Sequence, residues 1–180
     1  MTLRIVAEVS ANHLGSLARA IGIIEMAARA GAWGVKFQTF TPEQMVDAET
    51  LLTDGPWAGL RLLDLYRKAH TPREWHDLLF SYARRLGLVP FSSVFHADDV
   101  DFLETLNCPI YKIASFELTD TALIAHAART GKPIVISTGM ATKTEILQAA
   151  ISADQSPHQT LLKCTSAYPA EPKDANLATM

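Results

Sequence analysis

The segment Ile110–Thr138, IYKIASFELTDTALIAHAARTGKPIVIST, holds one complete strand–helix–strand pattern. Its two ends are short apolar runs rich in Ile, Val and Tyr, which predict strands over Ile110–Ser115 and Pro133–Thr138. Between them, Asp120 opens a stretch with apolar residues at helical spacing, which Gly131 ends. Two strands joined by a helix run parallel in one sheet. The segment therefore predicts one βαβ unit of a parallel α/β sheet.

The same pattern repeats on both sides of this segment. Further strands are predicted at Arg4–Ser10, Gly34–Phe40, Leu88–Ser93 and Thr160–Thr165. Helices are predicted at Gly15–Ala30, Pro72–Leu86, Ala97–Leu106, Asp120–Thr130 and Thr142–Ala153. Thr71 is predicted to cap the second helix, and Thr142 with Glu145 has capping-box spacing. Six strands alternating with five helices indicate a series of right-handed βαβ units.

One long insertion between the second strand and its helix breaks the regular spacing of strands and helices. It covers about Thr41–Ala69, contains a loop rich in Asp, Gly and Pro, and has a short amphipathic piece at Leu60–Tyr66. An insertion at the carboxyl end of a parallel strand lies on the face where α/β proteins bind ligands. We therefore expect the functional site on this face.

The composition excludes several classes of protein. Of 180 residues, 16 are Lys or Arg and 19 are Asp or Glu, a net charge of −3 that argues against a nucleic-acid or membrane-surface binder. The hydrophobic share of 48% is enough for a core. No apolar run approaches the roughly 20 residues that span a bilayer, and the start MTLRIVAEVS lacks a signal-peptide pattern. We expect a cytoplasmic globular protein.

Polar residues lie late in each predicted strand, where a βα barrel builds its active site. Lys36 and Lys112 are the most informative, because a buried ammonium is costly unless an anion accompanies it. One interpretation is a salt bridge to Glu8 or Glu117. The other is an anionic ligand, most simply phosphate, with further donors from the hydroxyls of Ser92, Ser93, Ser115, Ser137 and Thr138.

The carboxylates and histidines leave alternatives open. Glu8 neutralises a lysine or orients sugar hydroxyls, and Glu117 is a helix N-terminal residue or acts on a water. His13 follows the first strand and is a candidate site residue. The six histidines show no metal-ligand spacing, so we place no metal ligand in the chain. Cys108 and Cys164 are interpreted as small apolar residues.

As a set, these strand-end segments resemble the sialic acid synthase family, which condenses phosphoenolpyruvate (PEP) with an amino sugar. The matching stretches are AEVSANHLGSLARA (7–20), AGAWGVKFQTF (30–40), PFSSVFH (90–96), DFLETLNCPIYKIASFELTD (101–120), GKPIVISTGMAT (131–142) and LLKCTSAYPA (161–170). YRKAHTPREWH (66–76) and KIASFE (112–117) resemble the pseudaminic acid synthase branch. That branch implies 6-deoxy-2,4-diacetamido-altrose as acceptor sugar; the alternative is N-acetylmannosamine, giving N-acetylneuraminate.

The resemblance implies a (β/α)8 TIM barrel, of which residues 1–180 hold about the first six βα units. The last two barrel units and a C-terminal antifreeze-like domain are expected outside this sequence. The implied cofactor is a divalent metal, Mn²⁺ or Mg²⁺, whose ligands lie beyond the sixth strand and so outside these residues. The implied assembly is a homodimer, with PEP and the amino sugar as small-molecule partners.

The resemblance also assigns roles residue by residue. The positions matched to PEP binding are Lys36, Ser93, Lys112, Ser115 and Ser137. The segment around Ser93 differs from the family motif Ser-Thr-Pro-Phe. Ser93 keeps a hydroxyl at the threonine position, but Val94 stands in place of the proline. Glu8 matches a sugar-contacting carboxylate near the metal site, Glu117 an acid/base candidate and Tyr168 a tyrosine of the sugar pocket. Glu8 and Glu117 are the candidate catalytic residues.

Two other functions remain open at this point. One is an inactive fragment that binds anions or only assembles with other chains. The other is a βα-barrel lyase or aldolase in which Lys163 forms a Schiff base with a carbonyl substrate.

Overall fold

The computed structural model describes residues 3–53, 57–167 and 170–179, and it divides into two compact units. The first unit is Met1–Ser92 with Phe102–Cys108, and the second is Ser93–Asp101 with Pro109–Met180. Within the described ranges, no helix is long and apolar enough to cross a membrane.

The first unit contains three parallel strands in chain order with helices between them. Its elements are β1 (Val6–Glu8), α1 (Leu17–Arg29), β2 (Gly34–Thr39), α2 (Pro42–Met45), α3 (Leu62–Ala69), α4 (Arg73–Arg85) and β3 (Val89–Val94), whose last two residues belong to the second unit. A 3-10 turn, Ser10–His13, follows β1. The β1–β2 register pairs Val6 with Gly34 and Glu8 with Lys36.

The second unit repeats the pattern. Helix α5 (Ala97–Thr105) begins in it and ends in the first unit. The remaining elements are β4 (Tyr111–Ile113), α6 (Thr121–Arg129), β5 (Ile134–Ser137), α7 (Lys143–Ser152) and β6 (Gln159–Leu162), with a 3-10 turn at Phe116–Thr119. Strands β4, β5 and β6 are parallel neighbours in that order. Parallel strands ordered as in the chain, each followed by a helix, are the repeat of the (β/α)8 barrel. The predicted fold class is confirmed, with six of the eight strands.

Apolar residues on β2 and α4 form the core of the first unit. Phe37 and Phe80 stack with ring centroids 5.4 Å apart, and each is at most 1% exposed. Gly34 is required where β2 passes β3, because a Cβ there would lie 2.6 Å from the carbonyl oxygen of Val89. Any larger residue would force the two strands apart.

The core of the second unit lies between its strands and α6. Ile113, Ile134, Ile136 and Ile124 are fully buried. Near the end of the chain the pattern changes, because α7 and β6 expose large apolar side chains. The most exposed are Leu147 at 61%, Ile151 at 63%, Leu161 at 48% and Leu162 at 37%. Exposed apolar side chains of this size favour contact with further protein.

Several element ends differ from the predictions, and β4 ends at Ile113, where Ser115 was predicted. Strand β1 stops at Glu8, since Ser10 already belongs to the 3-10 turn, and β6 stops at Leu162, before Lys163. The insertion forms α2, which was not predicted, and its amphipathic piece forms α3 two residues later than expected.

The two predicted helix caps had different outcomes. The Thr71 cap is wrong: α4 begins after Pro72 without a side-chain cap, because the Thr71 hydroxyl bonds to His13 instead. The capping box of Thr142 and Glu145 is confirmed.

Candidate functional site

Glu8 and Lys36 form an ion pair at the carboxyl ends of β1 and β2. Their register pairing brings Lys36 Nζ within 2.5 Å of Glu8 Oε2. The Ser10 hydroxyl also donates to the Glu8 carboxylate. The lysine side chain is 17% exposed and the glutamate 46%. The salt-bridge interpretation of Lys36 is therefore confirmed, and the exposed carboxylate remains open to a ligand.

Lys112 is the buried cation of the second unit, with 6% exposure. Its Nζ donates to the Ser137 hydroxyl and to the Ile113 carbonyl, both at 2.6 Å. Ser137 stands one residue beyond the paired positions Ile113 and Ile136, so neighbouring strands bring both groups together. On the other side of Ser137, the Cys164 Sγ lies 3.2 Å from its hydroxyl oxygen. Hydroxyl and ammonium donors thus gather at this strand end.

Gly139 lets the backbone approach the side chains of Ser115, Cys164 and Ser166 closely. Its N–H donates to the Ser115 hydroxyl at 3.2 Å. A Cβ at this position would collide with the Ser166 hydroxyl and would lie 3.0 Å from Ser115 Oγ and 3.2 Å from Cys164 Cβ. Sequence reasoning did not single out Gly139. The sequence indication for this glycine is its place in Ser-Thr-Gly directly after an apolar strand, because a glycine there often marks a close approach of the backbone to other groups.

Glu117 lies in the 3-10 turn that follows β4. Among the described residues its buried Oε2 has no hydrogen-bond partner. Burial raises the pKa of this carboxyl, although its own backbone N–H and the charge of Lys112 act in the opposite direction. A carboxyl with a raised pKa holds its proton closer to neutral pH, which suits general acid/base chemistry.

The remaining predicted site residues fall in three situations. Ser93 is 4% exposed near the end of β3. Lys163 follows β6, and its Nζ donates to the Thr165 hydroxyl at 3.3 Å. Tyr168 lies outside the described residues, so its predicted role stays a prediction.

His13 is fully buried and holds the turn after β1 together. Its Nδ1 accepts from the Gly15 N–H at 3.0 Å, so Nε2 carries the hydrogen and donates to the Thr71 hydroxyl at 3.3 Å. Burial lowers the pKa of His13, with a further contribution from His70. The imidazole therefore stays neutral and positions the turn.

A second buried histidine was missed by sequence reasoning. His76 Nδ1 donates to the Pro72 carbonyl at 3.0 Å, so its Nε2 accepts from the Thr39 hydroxyl at 2.9 Å. The Thr39 oxygen in turn lies 2.7 Å from the Ser92 hydroxyl. Burial lowers the pKa of His76 to about 4. The position of His76 within α4 gave no indication in the sequence that it would join this hydrogen-bond network.

No group of three or more His, Cys, Asp or Glu side chains in residues 3–53, 57–167 and 170–179 is arranged to hold a metal ion. The divalent metal that the resemblance implies has its ligands expected beyond the sixth strand, and it stays an expectation.

Comparison with known proteins gives a consistent result. The chain is 48% identical to a pseudaminic acid synthase of Helicobacter pylori, covering 98% of the chain and 54% of that protein. It is 34% identical to an N,N'-diacetyllegionaminic acid synthase of Legionella pneumophila, covering 100% of the chain and 53% of the relative. The chain thus spans about half the length of the curated relatives it matches.

A solved structure agrees with these relatives. The N-acetylneuraminic acid synthetase of Leptospira borgpetersenii superposes with a TM-score of 0.89 at 28% identity, over 99% of this chain and 60% of that protein. The chain therefore shares sequence with these two relatives and its fold with the solved synthetase. The model of the NeuB family matches residues 23–180, and the chain belongs to this family.

Proposed function

We propose that this chain is the N-terminal part of a synthase that condenses PEP with an open-chain amino sugar and releases phosphate. The observation that supports it best is the buried Lys112 ammonium bonded to the Ser137 hydroxyl, with Gly139 and Ser115 beside it. Clustered cationic and hydroxyl donors at the carboxyl ends of parallel strands suit a phosphate or carboxylate. The relatives' names supply the product class, the nonulosonic acids.

The proposed binding residues are those assigned by resemblance. Lys36, Ser93, Lys112, Ser115 and Ser137 contact the phosphate and carboxylate of PEP, and Glu8 with Tyr168 contacts the sugar. The exposed carboxylate of Glu8 supports its part, because it has room for a hydroxyl ligand while still neutralising Lys36.

In the proposed reaction, C3 of PEP attacks the aldehyde carbon of the sugar, and positive charge develops at C2 of PEP. Water adds at C2 and gives a tetrahedral intermediate, which expels phosphate by breaking the C–O bond. The Lys112 ammonium stabilises the charge on the departing phosphate and is already held in place by Ile113 and Ser137. Glu117 orients the water and takes its proton, which suits a carboxyl whose pKa burial raises.

We propose the pseudaminic acid branch, with 6-deoxy-2,4-diacetamido-altrose as acceptor, because the relative with that product is 48% identical against 34% for the legionaminic relative. The divalent metal and the homodimer remain expectations from the resemblance. The N-acetylmannosamine acceptor remains the alternative.

Isothermal titration of PEP into the 180-residue chain, with and without Mn²⁺, tests the binding step. A phosphate-release assay with each acceptor sugar then tests turnover. PEP binding together with phosphate release supports the synthase. If the 180-residue chain binds PEP without releasing phosphate, and its full-length form does release phosphate, turnover requires the remaining part of the protein. Borohydride trapping of a carbonyl substrate on Lys163, with no PEP binding, would instead establish the aldolase alternative.

A further inference from the structure

The Cys164 thiol lies against the Ser137 hydroxyl in the second unit. Cys164 stands two residues beyond the end of β6, and its side chain is partly buried. Its Sγ lies 3.2 Å from Ser137 Oγ and 3.6 Å from the carbonyl oxygen of Leu162. The interpretation of Cys164 as a small apolar residue accounts for neither contact, and the proposed reaction gives the thiol no role.

The hydrogen bonds of Ser137 can be counted. A serine hydroxyl has one hydrogen to donate and two lone pairs that accept. The Lys112 ammonium has no acceptor, so its bond to Ser137 at 2.6 Å fills one of these lone pairs. Among the residues that the structure describes, the other side-chain partner of Ser137 is Cys164. The thiol therefore bonds either to the second lone pair or to the hydrogen of this hydroxyl.

The surroundings of the thiol favour a bond to the second lone pair. A thiol has a single hydrogen, and its sulfur is a weak acceptor. The Leu162 carbonyl, which only accepts, competes for that hydrogen, but Ser137 Oγ is the nearer oxygen. When the S–H donates to Ser137, both lone pairs of the serine are filled and its own hydrogen is left for a ligand.

An anion at this strand end strengthens the same arrangement. A hydrogen bond from a hydroxyl to an anion is charge-assisted and roughly twice as strong as one between neutral groups. The Ser137 hydrogen therefore gains more from a phosphate or carboxylate oxygen than from the sulfur. Hydrogen bonds in a chain also polarise one another, so a hydroxyl that accepts from two donors is itself a better donor.

Cys164 lies among the residues assigned to PEP. A Cβ added to Gly139 would lie 3.2 Å from Cys164 Cβ and 3.0 Å from Ser115 Oγ, so both side chains approach the same backbone position. The Gly139 N–H donates to the Ser115 hydroxyl at 3.2 Å. Ser115, Ser137, Gly139 and Cys164 all belong to the second unit. The sulfur is thus placed to act on a hydroxyl of the proposed anion site.

We infer that Cys164 is a positioning residue of the proposed PEP site: its thiol donates to Ser137 Oγ and thereby directs the Ser137 hydrogen to the bound anion. The inference rests on the proposed function and adds a residue to it. Cys164 acts through Ser137, so it changes the PEP affinity only while that hydroxyl is present.

Isothermal titration of PEP into variants of the 180-residue chain tests the role of the thiol. Cys164→Ala removes the donor, and we expect PEP binding to weaken by roughly 3- to 10-fold, the range of one neutral hydrogen bond. Cys164→Ser has nearly the same size as Cys164→Ala but restores a donor, so we expect its affinity to lie within about twofold of that of the parent. Equal affinities of Cys164→Ala and Cys164→Ser would overturn the inference.

A double-variant cycle with Ser137→Ala shows whether the effect passes through the hydroxyl. Ser137→Ala alone should weaken PEP binding, and adding Cys164→Ala should then change the affinity by less than about twofold. A merely structural role of Cys164 predicts the same loss of affinity with and without the Ser137 hydroxyl, and that result contradicts the inference.

Cys108→Ala is the matched control, because it removes the other thiol of the chain at a fully buried position in the first unit. Thermal melts should show a loss of stability from the cavity it leaves, while the PEP affinity stays that of the parent.

PEP titration of the parent separates this inference from the proposed function. If the parent binds PEP and Cys164→Ala binds it equally well, the inference falls and the synthase proposal stands. If the parent does not bind PEP, both fall.

Discussion

The Lys112 ammonium lies 2.6 Å from the Ser137 hydroxyl oxygen, and both side chains are at most 6% exposed. The Ser137 hydroxyl is neutral and hydrogen-bonds to this ammonium. A buried ammonium at the strand ends favours an anion beside it.

We expect Lys112→Met to weaken PEP binding by roughly 10- to 100-fold, since a charge-assisted hydrogen bond contributes about 1.5–3 kcal/mol. Lys112→Arg keeps the positive charge and should weaken PEP binding less than Lys112→Met does. Isothermal titration measures both affinities, and a thermal melt of each variant controls for folding. Lys112→Met with the affinity of the parent would exclude Lys112 from the anion site.

Gly139→Ala should also impair PEP binding, because the added methyl meets the Ser166 hydroxyl and crowds Ser115 and Cys164. We expect a loss of roughly 10-fold or more. The matched control is Gly22→Ala in α1, where a Cβ meets nothing within 4 Å. That control should leave PEP binding unchanged and stabilise the chain by about 1 kcal/mol. Equal PEP affinities in the two variants would contradict the prediction.

Glu117 should make folding stability fall as pH rises. Its pKa is raised in the folded state, so just above the usual pKa of 4.5 the folded chain holds a proton that the unfolded chain has lost. This contribution is present at low pH and is lost as pH passes the folded pKa. Urea unfolding of Glu117→Gln and the parent at pH 4 and pH 7 measures it. We expect Glu117→Gln to gain stability relative to the parent at pH 7; a constant difference would refute the raised pKa.

His76 should have the opposite effect. Its folded pKa is about 4 against 6.5 for a free histidine, so the unfolded chain binds the extra proton between these values. Stability therefore rises with pH from about 4 to 6.5, by about 3 kcal/mol in total. In His76→Gln this part of the pH dependence should vanish in urea unfolding, while His158→Phe should retain it. A parallel pH profile for His76→Gln and the parent would show that His76 does not titrate in this way.

The exposed apolar side chains of α7 and β6 should make the 180-residue chain associate. Leu161 is 48% exposed in strand β6, and Ile151 of α7 is 63% exposed. Leu161→Lys places a charge on the edge strand and should shift the chain toward monomer, as light scattering during size exclusion can show. Leu78→Lys, at a leucine of α4 that is 45% exposed, should have no such effect. A monodisperse parent that melts cooperatively would refute the association.

Much of the fold was predictable because its signals are local. The alternation of apolar runs with capped helices predicted all six strands, and the box of Thr142 and Glu145 marked the start of α7 within the chain itself. The late-strand position of Lys36 and Lys112 predicted polar clusters, since parallel strands are otherwise apolar. The structure places each of these lysines in such a cluster.

Other features depend on contacts between distant residues. Thr71 has the sequence signature of a cap, yet its hydroxyl bonds to His13, 58 positions away. The two lysines look alike in sequence, but Lys36 pairs with a carboxylate while Lys112 bonds to a hydroxyl and a carbonyl. The β1–β2 register places Glu8 opposite Lys36, whereas Val135 stands opposite Lys112.

The sequence alone therefore determined the order of strands and helices, and which residue types stand at the strand ends, because propensity, capping and periodicity act over a few neighbouring residues. Only the tertiary structure decided the protonation and partners of His13, His76 and Glu117, since burial and pairing arise when segments far apart in the chain pack together.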